Sequence, residues 1–114
     1  MEISSEIING KPRTIAKLKV QFNGKEETVK LKKLNFGEFN EVQRASMKVT
    51  MIGTTPKLDL DSVAMNENAI LRSIVDAPFV VSIQEIRELE KDVAEEILAV
   101  VNELNNPTDK KKED

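Results

Sequence analysis

The chain has 114 residues, enough for one domain with a modest core. Cys, His, Trp and Tyr are absent, which excludes disulfides and thiolate metal sites and removes the commonest general base and transition-metal ligand. Net charge is −3 but uneven: residues 1–50 carry +4, residues 51–109 carry −8 and the last five carry +1, a polarity that favours head-to-tail contacts or a charged partner.

Residues 1–13 contain Ser4-Ser5, Asn9-Gly10 and Pro12 and read as a flexible arm, with edge pairing open to Ile3, Ile7 and Ile8. Residues 14–106 read as a single α+β domain. It starts with a hairpin. Ala16, Leu18, Val20 and Phe22 alternate with Lys17, Lys19 and Gln21, and beyond Asn23-Gly24, Val29 and Leu31 alternate with Lys30 and Lys32. Asn-Gly between alternating runs predicts a type I′ turn, which needs positive φ at both positions. A two-residue turn sets Leu18 opposite Val29 and Ala16 opposite Leu31. A four-residue loop shifts the register by two and keeps the faces, so both remain open.

Leu34 to Phe39 reads as a helix start. Asn35 caps, Glu38 closes a capping box and Leu34 staples onto Phe39. The apolar side, with Phe36, Phe39, Val42, Met47 and Met51, extends the helix to about Ile52, where Gly53-Thr54-Thr55-Pro56 stops it. Residues 59–76 read as a second helix, with Leu60, Val63, Ile70, Leu71, Ile74 and Val75 on one face and Glu67 amid them. Either that helix begins near Asn66 or Glu67 points into a groove. Pro78 ends it.

The strongest pattern runs from Ser82 to Leu104. Ile83, Ile86, Leu89, Val93, Ile97, Val100, Val101 and Leu104 recur at spacings of three and four, on an arc of roughly 120°. Ser82 and Glu85 form a capping-box signature. An unbroken helix would be about 35 Å long; a break near Leu89-Glu90 is the alternative. Asn105-Asn106-Pro107 ends it, and residues 107–114 read as a disordered charged tail. The expected fold is therefore α+β, mostly helical, with an N-terminal antiparallel hairpin followed by three to four helices.

No constellation of catalytic residues is expected, nor a metal or cofactor. Asp59 and Asp61 fail the EF-hand pattern, because Ala64 and Ile70 stand where Gly and Glu are needed, and helix capping explains them better. Lys17, Lys19, Lys30 and Lys32 should share the outer hairpin face. They are candidates for a basic nucleic-acid surface, but no aromatic residue interleaves with them, and lysines also guard exposed strands against association. Met47, Met51 and Ile52, with Phe79 at the junction, are the candidate partner-binding residues. Gln43 and Ser46 interrupt their helix face, and Met repacks at little cost. The amino terminus lacks a basic and an apolar signal region, and no apolar run approaches 18 residues, so a cytoplasmic home without membrane contact is expected.

The order of elements is similar to that of the tail assembly chaperones of long-tailed phages and related proviruses: a hairpin, Leu34-Asn35-Phe36-Gly37-Glu38-Phe39, a helical middle, Ala77 to Leu89, and Leu104-Asn105 before a Lys-rich tail. The likeness covers residues 14–105. It implies a non-enzymatic protein in the host cytoplasm that keeps the tape measure protein soluble until tail tube subunits polymerise around it. Members of that family often also make a longer form by frameshifting near the end of the short frame, which recruits tail tube protein; Lys110-Lys111-Lys112 is read either as the place of such a shift or as a solubilising charged tail. The alternatives are a nucleic-acid-binding module built on the basic hairpin face, or an accessory or regulatory subunit of another complex. Homo-oligomerisation is open in each case.

Overall fold

A computed structural model describes residues 1–106. The Lys-rich tail and the extension expected there lie outside the described residues. Two Asn-Gly turns build the amino-terminal half. β1 (Glu2–Ile8) and β2 (Lys11–Phe22) meet at Asn9-Gly10, and β2 and β3 (Lys25–Lys32) meet at Asn23-Gly24. In both turns Asn has φ 53° and Gly has φ 78–79°, the positive pair that a type I′ turn requires. Leu18 lies opposite Val29 and Ala16 opposite Leu31, the register of a two-residue turn.

Residues 1–13 are therefore not a flexible arm. Every residue from Glu2 to Ile8 pairs with β2 across the Asn9-Gly10 turn. The hairpin is a three-stranded meander, which β6 (Ile74–Asp76) extends beyond β3 to give the order β1-β2-β3-β6.

The middle of the chain also departs from expectation. α1 (Phe36–Ala45) begins with the full capping box of Asn35 and Glu38. It stops at Ser46, short of Ile52. Residues beyond it form a separate antiparallel hairpin, β4 (Met47–Ile52) and β5 (Thr55–Leu60), around Gly53-Thr54. Gly53 has φ 65°, matching the first position of a type II′ turn, so the glycine read as a helix stop reverses a strand instead. α2 (Ser62–Ser73) starts on Asp61, whose carboxylate accepts from the N–H groups of Val63 and Ala64. Its expected last turn is β6. The fold is α+β, but helix and strand occupy about equal lengths, and strands interrupt the helical series.

The Ser82–Leu104 stripe divides into α3 (Ile83–Arg87) and α4 (Lys91–Asn105). Ser82 Oγ accepts from the Glu85 N–H at 3.2 Å. The break lets α3 pack on α2 while α4 lies across β2, β3 and α2. Val93, Ile97, Val100, Val101 and Leu104 close over Ala16, Val20, Val29 and Leu31, joined by Ile70 and Ile86. Asn105 ties the end of α4 to the start of α1. Its Oδ1 accepts from the Leu34 N–H at 2.8 Å and its Nδ2 donates to the Val101 carbonyl.

Candidate functional site

The β4–β5 hairpin stands outside the core. Its register sets Met47 opposite Leu60, Val49 opposite Leu58 and Met51 opposite Pro56. Directly opposed residues of an antiparallel pair share a face. All six are therefore on one side, and no charge falls among them. Lys48, Asp59, Thr50, Lys57, Ile52 and Thr55 form the other side. The apolar side is uncovered, with Val49, Met51 and Leu58 each about 60% exposed. An amphipathic hairpin of this length buries nothing by itself and is marginal in water. Contiguous exposed apolar surface of this kind makes the hairpin the candidate interaction site of the described residues.

Its base is fixed from both sides. Ser46, buried, donates from Oγ to the Val42 carbonyl at 2.6 Å and accepts from Asn68 Nδ2 at 3.1 Å. The Asp61 N–H closes the hairpin onto the Ser46 carbonyl at 2.9 Å. Ser46 is thus a joint between α1, the hairpin and α2. That is the physical reason for a polar residue there, in place of the half-buried helix face expected from the sequence.

Of the candidate partner-binding residues, Met47 and Met51 lie on the exposed apolar side, and Ile52 lies on the opposite side. Phe79 belongs elsewhere. It packs against the main core with its ring centroid 5.5 Å from that of Phe22. Val49, Leu58 and Leu60 complete the surface. Their signal was available in the alternation of Val49 with Lys48 and Thr50, and of Leu58 and Leu60 with Lys57 and Asp59.

Lys17, Lys19, Lys30 and Lys32 do share the outer face of the meander, and Lys17 stands opposite Lys30. Two of the four are engaged there. Lys30 Nζ meets Glu6 at 2.9 Å and Lys32 Nζ meets Glu38 at 3.0 Å. Burial pushes the Glu38 carboxyl up, but hydrogen bonds from Arg13, from the Asn35 N–H and from Lys32 outweigh it and bring it down from 4.5 to about 2.

A second concavity, of about 360 Å³, lies between α2, α3 and α4. Val63, Ile70, Ile86 and Leu98 line it, and the Glu67–Arg87 pair borders it. Glu67 thus does face a groove, and α2 begins four residues before Asn66. Among the described residues no group of three or more acidic side chains is placed to hold a metal ion, and no helix is long and apolar enough to cross a membrane. Comparison with protein-family models, with curated proteins and with solved structures found no match.

Proposed function

We propose that the chain is a non-enzymatic assembly chaperone that holds an apolar stripe of a long helical partner, the tape measure protein of a long-tailed phage or related provirus. The observation that carries this reading is the β4–β5 hairpin, whose base is hydrogen-bonded at Ser46 and whose apolar side is covered by nothing in the described chain. A helix laid along it would bury Met47, Val49, Met51, Leu58 and Leu60 together, and the two methionines would adapt to differing side chains along a repetitive partner. The α2–α3–α4 groove offers a second apolar seat. Of the element order that carries the resemblance, the first turns at Asn35 and Ser82 are present, and the helical middle is divided by β4, β5 and β6.

Coexpression of the full chain with a fragment of the tape measure protein encoded beside it tests the proposal. The wild type should keep the fragment soluble, and Met51→Asp with Leu58→Asp should lose it while far-UV circular dichroism and Tm stay unchanged. A fragment equally soluble with both chains, or insoluble with both, overturns it.

A further inference from the structure

We propose that two copies of this chain join edge to edge through β1, making one continuous eight-stranded sheet around a twofold axis at Ser5. β1 is the outer strand of the four-stranded sheet, so one row of its backbone N–H and C=O groups has no strand beside it. The opposite edge, β6, is only three residues long and pairs irregularly. β1 is seven residues long, pairs with β2 without a bulge and contains neither Pro nor Lys. Short strands, bulges, prolines and lysines are the usual protections of a sheet edge, and this edge has none of them. Its charges, Glu2 and Glu6, lie on the face opposite its exposed isoleucines.

The sequence of β1, Glu-Ile-Ser-Ser-Glu-Ile-Ile, selects a second copy as the occupant. An isologous contact needs a surface that complements itself. Centring the antiparallel pair on Ser5 sets Ile3 opposite the partner's Ile7, and Ile7 opposite the partner's Ile3. These two are 52% and 67% exposed, on the same face of the sheet as the core residue Ala16. All seven residues pair in this register. Sliding by one residue turns the isoleucines to the other face. Sliding by two residues in either direction sets Glu6 opposite the partner's Glu2, or opposite the partner's Glu6, and like charges directly opposite are destabilising. The centred register alone pairs apolar with apolar and separates the carboxylates.

The chain has no Cys, so single cysteines report the register cleanly. Residues facing each other across an antiparallel pair have Cα atoms about 4.5–5.5 Å apart, within disulfide range. Ser5→Cys should therefore crosslink to a covalent dimer under mild oxidation of the full chain. Ile7→Cys, equally exposed but separated from its own copy by roughly 13 Å or more along the strands, should remain uncrosslinked. Sedimentation of the wild type should give a dimer. Ile3→Lys with Ile7→Lys should weaken it by at least roughly tenfold, and Ile3→Lys with Ile7→Glu, which sets opposite charges across both pairs, should restore it. Both double variants substitute the same exposed positions, so a folding defect cannot separate them. A wild type that is monomeric at about 100 µM, equal crosslinking of the two cysteine variants, or a dimer that both charge variants leave intact overturns the proposal.

Discussion

Arg87 donates two hydrogen bonds to Glu67, one from Nε at 2.9 Å and one from a terminal nitrogen at 2.8 Å. The pair joins α3 to α2 and accounts for a carboxylate in the middle of an otherwise apolar helix face. The hydrogen bond and charge of Glu67 hold the Arg87 guanidinium above its ordinary range. The two ends are not equivalent, because the side chain of Glu67 is 19% exposed and that of Arg87 is 61% exposed. Removing the arginine leaves a mostly buried carboxylate unpaired, whereas removing the carboxylate leaves an arginine already in water. Arg87→Ala should therefore lower Tm by on the order of several degrees, and Glu67→Leu should be neutral or stabilising. Thermal unfolding of the two variants checks this, and equal losses would refute the asymmetry.

Acid should expose the contribution of Glu38. Its carboxyl titrates at about 2 in the folded chain against 4.5 for the free group. A depressed carboxyl contributes its full stability above the unfolded value and loses it as pH falls through the folded one. The denaturation midpoint of the wild type should thus fall more steeply between pH 4.5 and about 2 than that of Glu38→Gln. Parallel slopes would assign the acid sensitivity to other carboxylates.

The core and the hairpin should respond oppositely to substitution. Ile97 is fully buried under the sheet. Ile97→Ala should cost about 2–5 kcal/mol in urea unfolding through lost burial and the cavity left behind. Met51→Asp, at a position 59% exposed, should change the same measurement by about 0.5 kcal/mol or less. A large loss at Met51 would mean that the hairpin is packed and is not a free surface.

Gly53 tests whether the hairpin opens by itself. A Cβ at Gly53 would meet nothing within 4 Å, so the cost of a side chain is conformational, set by φ 65°. Gly53→Val should destabilise the turn by about 1–2 kcal/mol. Amide hydrogen exchange should then quicken across β4 and β5 while α4 keeps its protection. Uniform acceleration through α4 would instead make the hairpin part of the cooperative core.

Local chemistry determined much of this fold. Asn23-Gly24 specified a turn and its inner face, because few residue pairs tolerate two successive positive φ values, while the register waited on the strand pairing itself. Asn35 with Glu38, and Ser82 before Glu85, marked helix starts through hydrogen bonds that span only three residues. The α4 stripe was legible because its spacing fits only one period. Tertiary structure decided the segments whose patterns fit two periods. Met47 and Met51 lie four residues apart, which suits a helix, and with Val49 between them they suit a strand equally well. Pairing with Thr55–Leu60, beyond a turn read locally as a helix stop, resolved the choice. Asn9-Gly10 carried the same turn chemistry as Asn23-Gly24, and the β1 strand it allows pairs with a β2 that is itself held against β3 and α4. Ile74–Asp76 leaves the helical period for the same reason: the open edge of β3 offers hydrogen bonds that the helix end cannot.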